Sequence, residues 1–299
     1  MLEIENNSMA IACASGGFKA VFVHGVLSAF EERSFRPNAY SAASASVVVA
    51  ALANIDRARK AGIDYWLKGI EMYDRTKSMS RVSLAGIDYF NSDGGEELFK
   101  SSRSRFYIAA SKVVTTEVAE QTQSKHARRL GKKLLIAAAK GDRDWVDRSL
   151  RLDLFGTSNQ DSLALNRGNF KEVAYASTRM LHNYDVPAWI DRQPYIDASY
   201  TCSCPALEMV DRGYQTVIAI ATEAGKFYRD LFQSEIMPTQ YNRVPIHIIQ
   251  PDNNLKELGV DVFKATPAGL AAVYQHGFDK GKKFLTQPKH QTEELNHAQ

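Results

Sequence analysis

Two residues of this chain are of a kind, and in a setting, that suits acyl transfer chemistry. Ser44 lies in Tyr40-Ser41-Ala42-Ala43-Ser44-Ala45-Ser46-Val47, a run of small residues that leads straight into an alanine- and valine-rich segment. This reads as a strand, a sharp turn and a helix, the arrangement that lifts a nucleophilic serine above an α/β sheet. The positions two before and two after the serine, here Ala42 and Ser46, must then be small because the turn packs closely on its neighbours. Asp197 lies in Gln193-Pro194-Tyr195-Ile196-Asp197-Ala198-Ser199, where an apolar pair delivers a carboxylate into a small-residue turn. A serine hydroxyl is a weak nucleophile until a neighbouring base takes its proton. The oxyanion that follows attack needs hydrogen-bond donors fixed in advance, and Ser15-Gly16-Gly17-Phe18-Lys19 is a glycine turn whose amides can approach closely enough to serve.

Taken together, these stretches resemble the patatin-like phospholipases, acyl hydrolases that use a serine and an aspartate. Ser15-Gly16-Gly17-Phe18-Lys19-Ala20, with His24-Gly25-Val26-Leu27 after it, is similar to the family's glycine-rich oxyanion loop and the helix behind it. Ala42-Ala43-Ser44-Ala45-Ser46 stands where the family has Gly-x-Ser-x-Gly, and Asp197-Ala198-Ser199 where it has an Asp-Gly turn. The resemblance implies Ser44 as nucleophile, Asp197 as its base, and the amides of Gly16, Gly17 and Phe18 as the oxyanion hole. It further implies Lys19 and Ala45 against the substrate, which would be an acyl ester lipid or related ester, with no cofactor and no metal. The chain departs from the pattern at Ala42, Ser46 and Ala198, each of which replaces a glycine.

Other readings of the same residues stay open. Hydrolysis and transfer of the acyl group to another acceptor use the same dyad, and a catalytically degenerate relative would keep the fold as a binding or membrane-docking protein. A Ser-His-Asp triad would draw on His247 or His276 in the chain order of α/β-hydrolases. Gly16-Gly17-Phe18-Lys19 also suits phosphate at a helix start, though without the spacing of a nucleotide loop. Cys202-x-Cys204 lacks the second ligand pair that a zinc site needs.

The elements that must hold these residues follow from hydrophobic periodicity. Met9 to Ala14 reads as a buried strand, and from Ala20 to Glu32 the apolar positions Val21, Val23, Val26, Leu27 and Phe30 recur at helical spacing. Residues 37–42 give a turn and a second strand, and the helix after Ser44 is expected to run to Lys60. Residues 63–90 show no sharp period, and Asn91 to Gly95 is a turn. Arg105–Val114, Gln215–Ala221 and Val244–Ile249 read as strands, while 171–178, 205–212 and 267–284 read as helices. Alternation of strand and helix predicts an α/β fold with three layers, a mainly parallel central sheet covered on both faces. Residues 1–285 are expected to form one patatin-like domain, and 286–299 a disordered polar tail.

With 299 residues, 44% hydrophobic and 24% charged, the chain is long enough for a sizeable core. The net charge of +3 is too small to argue for nucleic acid. Between Lys100 and Arg151, however, there are thirteen basic residues against five acidic ones. Within that region Lys125, Arg128, Arg129, Lys132, Lys133 and Lys140 flank Leu130, Leu134, Leu135 and Ala138, the pattern of a basic amphipathic helix. Its charges either face solvent or meet anionic lipid headgroups at a membrane surface. An acidic, polar start (Met1 to Asn7), no apolar run of spanning length and three cysteines without framework spacing lead to the expectation of a cytoplasmic protein with peripheral membrane contact.

Overall fold

A computed structural model of the chain describes residues 8–158 and 160–286. The readings made for Met1–Asn7 and for the tail past Thr286 lie outside the described residues. The strands are β1 Met9–Cys13, β2 Ala39–Ala43, β3 Arg105–Val113, β4 Leu150–Gly156, β5 Trp189–Ile190, β6 Gln193–Ile196, β7 Thr216–Ile220, β8 Gln240–Tyr241 and β9 Val244–Ile249. The helices of the first half are α1 Val21–Glu32, α2 Ser46–Asn54, α3 Ala58–Ala61, α4 Asp64–Thr76 and α5 Met79–Ser92. Those of the second half are α6 Thr116–Gln123, α7 Ala127–Ala139, α8 Asp144–Ser149, α9 Phe170–Thr178, α10 Ala206–Asp211 and α11 Pro267–Thr286.

The expected α/β class holds: a mostly parallel central sheet with helices around it. Strands β3, β2, β1, β7 and β9 lie side by side and parallel. β1 sits in the middle, and its residues alternate between two cores. Met9, Ile11 and Cys13 point into a large apolar cluster shared with α1, α2 and α5, whereas Ala10 and Ala12 point into a smaller one shared with α10. A strand buried on both faces has no need of polar alternation, which is why it reads as a continuous apolar run.

Helix α1 is buried along most of its length because α11 lies across its outer side. The two meet at glycines. A Cβ on Gly25 would fall 2.1 Å from the Tyr274 carbonyl oxygen, and one on Gly277 would fall 2.1 Å from that of Phe22. This close crossing fixes α1, and with it the glycine turn at its start.

Several elements differ from the expectation. The helix after Ser44 stops at Asn54, where Asp56 takes φ 59° and the chain re-enters a short α3. Residues 63–90 form two helices, α4 and α5, broken at Lys77 with φ 52° and restarted by the Ser78 side chain accepting the Arg81 amide. The antiparallel strand β4 was not read from sequence. Its buried Leu150, Leu154 and Phe155 are interrupted by exposed or half-exposed Arg151, Leu152 and Asp153, as suits a strand outside the parallel core.

Strand β6 reaches the sheet in an unexpected way. β4 occupies one edge of β3 from Tyr107 to Val113, and β2 occupies the other edge from Arg105 to Ala109. β6 pairs antiparallel with Ser111 and Lys112 and so lies on the β2 edge, past the end of β2. The two strands run toward each other along β3. The residues that follow them, Ser44 and Asp197, both fall level with Ala110.

Candidate active site

Ser44 occupies a tight turn between β2 and α2, in the left-handed conformation at φ 54°. Such a backbone is uncommon for a residue with a side chain and must be held by its surroundings. Three contacts hold it. The Ser44 amide donates to Ser177 Oγ at 2.8 Å, Ser46 Oγ donates to the Ala14 carbonyl at 2.5 Å, and the Val47 amide closes the turn onto the Ser44 carbonyl at 3.0 Å. Neither Ala42 nor Ser46 has positive φ, nor does Ala198. The backbone at these three positions therefore does not demand glycine, and Ser46 adds a tether that glycine could not make.

Asp197 is delivered from the opposite direction. Its amide donates to the Arg179 carbonyl at 3.0 Å, and its carbonyl accepts from Ser111 Oγ on β3 at 2.7 Å. The carboxylate is 1% exposed. One oxygen, Oδ2, accepts from Ser44 Oγ at 2.8 Å; the other, Oδ1, accepts from the Ser199 amide at 2.8 Å and from Ser199 Oγ at 2.6 Å. Burial raises the carboxyl pKa to about 6, against the hydrogen bonds from Ser199 and Ser44 that favour the charged form. The pair thus contains a hydroxyl and a carboxylate in contact, with the carboxylate basic enough to take a proton and ionised at neutral pH.

The glycine turn stands beside them. Gly16 and Gly17 line the same cavity as Ser44 and Asp197. Gly17 has φ 57°, and a Cβ there would fall 2.1 Å from the Val262 carbonyl oxygen, so this position requires glycine on two counts. The amides of Gly16, Gly17 and Ala45 have no acceptor among the described residues. Phe18 corrects the expectation: its amide donates to the Val262 carbonyl at 2.9 Å and is not free to meet an oxyanion. Lys19 is buried, with Nζ 2.7 and 2.9 Å from the two carboxylate oxygens of Glu223, so its charge is paired across the cavity wall rather than offered to a ligand.

Two cavities adjoin near Ser44, which lines one of them. One, of about 470 Å³, contains Ser44, Asp197 and Gly16 and is lined by Ser203, Glu223 and Lys226 as well as by Met180, Phe227 and Leu231. An apolar one of about 340 Å³ runs under α4 and α5, walled by Phe18, Ala45, Val48, Trp66, Met79 and Val82. Gly17, Thr178 and Tyr184 border both. Trp66 is fixed by donating from Nε1 to His24 Nδ1 at 2.9 Å, while His24 Nε2 donates to the Ala58 carbonyl at 2.8 Å. Burial lowers the His24 pKa to about 4, which keeps that ring neutral.

Among the described residues no histidine touches the pair. His247 packs edge-on against Phe284, and His276 accepts the Asp252 amide at 3.2 Å; neither lines either cavity. Sequence alone gives no role to Ser177 or Ser199 and does not reveal the α4–α5 wall. Trp66, Ile70 and Tyr73 do recur at helical spacing, and that was the available signal for α4. The three cysteines are buried and free, and no group of side chains suited to a metal is present among the described residues.

No known family model matches this chain, and no curated protein does. Among solved structures, VipD from Legionella pneumophila is similar with a TM-score of 0.45 and 11% identity, over 94% of this chain and 67% of that one. A likeness that loose carries no argument, so the chemistry is read from the site itself.

Proposed function

We propose that this chain is a serine acyl hydrolase that cleaves carboxylic esters between an apolar acyl chain and a polar alcohol. The observation that carries the reading is the 2.8 Å hydrogen bond from Ser44 Oγ, on its strained turn, to the buried Asp197 carboxylate. Ser44 Oγ attacks the ester carbonyl carbon as its proton passes to Asp197 Oδ2. The resulting oxyanion meets the unengaged amides of Gly16 and Gly17, with that of Ala45, next to the nucleophile, as a third donor. Collapse of the tetrahedral intermediate expels the alcohol, which takes the proton from Asp197 and leaves an acyl-serine. Water then attacks, again giving its proton to Asp197, and the acid departs as the Oγ–acyl bond breaks and Ser44 Oγ takes that proton back. In this reading Ala45 touches the acyl chain and Lys19 braces the loop.

The two cavities take the two halves of the substrate. The acyl chain enters the apolar space beneath α4 and α5, and the alcohol portion lies in the cavity that holds Ser44, where Ser203, Glu223 and Lys226 can meet its polar groups. Ser44→Ala should abolish turnover of a nitrophenyl ester while leaving the melting temperature nearly unchanged. A variant that keeps most of its rate would refute Ser44 as nucleophile. Variants of His247 and His276 should stay active, because a dyad needs no histidine.

A further inference from the structure

Helix α7 is seated on the protein through Ala127, Gly131, Leu134 and Ala138, all buried. The seat is close: a Cβ on Gly131 would fall 2.4 Å from the His182 backbone nitrogen. The other side of the helix carries Arg128, Arg129, Lys132 and Lys133, all exposed, with Lys125 before them and Lys140 after. None of these six cations forms an ion pair among the described residues. No acidic residue occurs between Ser124 and Gly141. A merely solvated helix gains from opposite charges one turn apart and loses from like ones, and here Arg128 and Lys132, like Arg129 and Lys133, repel each other at that spacing. Among them stands Ile136, 60% exposed, with lysines one turn before it and one after.

The seat of the helix is one residue removed from the lining of the site. His182, against which α7 is seated, packs edge-on at 5.1 Å against Phe263, and Phe263 lines the cavity that holds Ser44. Burial and the nearby Lys132 together hold the His182 pKa down.

We infer that the outer face of α7 docks on a membrane surface of anionic phospholipid, its cations on the headgroups and Ile136 among them, which brings the domain that carries the Ser44 cavity to the bilayer. A cationic face with a single protruding apolar side chain suits such an interface better than a protein groove, which would call for a broader apolar area. The docking itself does not require a working dyad.

The test is cosedimentation of the full chain with vesicles of phosphatidylcholine alone or mixed with phosphatidylserine. The protein should bind the mixed vesicles, release them as salt rises, and ignore the neutral ones. Each exposed cation near an anionic surface is worth roughly fivefold in affinity, so Arg128→Gln/Arg129→Gln/Lys132→Gln/Lys133→Gln should weaken binding by at least about a hundredfold. These side chains are exposed, and an unchanged melting temperature would show that the fold is kept. The quadruple variant should hydrolyse a soluble ester at the native rate, whereas Ser44→Ala should bind vesicles normally and hydrolyse nothing. Equal binding to neutral vesicles, no loss of binding in the quadruple variant, or binding to duplex nucleic acid but not to mixed vesicles would each overturn the inference.

Discussion

Asp197 holds the site's balance in one carboxylate. Burial raises its pKa to about 6, and the Ser199 hydroxyl at 2.6 Å is the strongest visible restraint on that rise. As the base, Asp197 must be ionised, so kcat/KM should climb through about pH 6 and stay flat above it. Ser199→Ala removes one hydrogen bond to a charged group, an interaction worth about 1.5 to 3 kcal/mol, and should move that rising limb about one pH unit or more toward alkaline. A profile that does not move would mean that Ser199 does not tune the base. The same shift bears on stability. A carboxyl whose pKa is higher folded than unfolded binds more protons in the folded state between the two values, so stability falls as pH rises from the ordinary carboxylate range through about 6. The penalty is complete above that and amounts to about 3 kcal/mol. Asp197→Asn should therefore melt no lower than the native chain at pH 8, yet turn over ester at least about 10²-fold more slowly for want of a base. Thermal melting and ester turnover measured on one preparation check both halves. A destabilised variant with proportionate activity would instead mark Asp197 as a turn residue.

At the scale of elements, the glycine turn and the α4–α5 wall make separable predictions. Gly17→Ala would place a Cβ against the Val262 carbonyl in a left-handed conformation, displacing the amides nearest Ser44. Loss of one oxyanion donor typically costs about 10²- to 10³-fold in kcat, and steady-state kinetics should show that loss in kcat more than in KM. The wall should govern chain length. Each buried methylene contributes about 0.8 kcal/mol, so kcat/KM should rise roughly fourfold per carbon as nitrophenyl esters lengthen, until the cavity is full. Val82→Trp should cut that climb short while sparing the acetate ester. Sequence pattern exposed these elements unevenly. Strands β1, β7 and β9, buried in the parallel sheet, are short apolar runs and were readable. The region around α4 was not, because its charged outer face dilutes the spacing of Trp66, Ile70 and Tyr73 that faces inward.

For the whole molecule, what decides the site is how two distant chain segments meet. Small residues around Ser44, and an aspartate after Tyr195-Ile196, marked both positions from residue types alone. That they touch could not be read, because the contact depends on β6 running back along the edge of β3 that β2 leaves free. Parallel strands ending at one sheet edge account for Ser44 and Gly16, whereas Asp197 arrives on an antiparallel strand from the opposite direction. The buried small residues at Ala42 and Ser46, and the α1–α11 crossing at Gly25 and Gly277, show why backbone closeness rather than any motif letter sets this geometry. The central claim is that Ser44 is a nucleophile activated by Asp197 and no histidine. Labelling with a fluorophosphonate, followed by mass mapping of the modified peptide, tests it most directly: the account predicts one adduct, on Ser44, formed by the native chain and by His247→Ala and His276→Ala, and lost in Asp197→Asn. An adduct on another residue, or labelling of Ser44 that survives in Asp197→Asn and vanishes in a histidine variant, would contradict it.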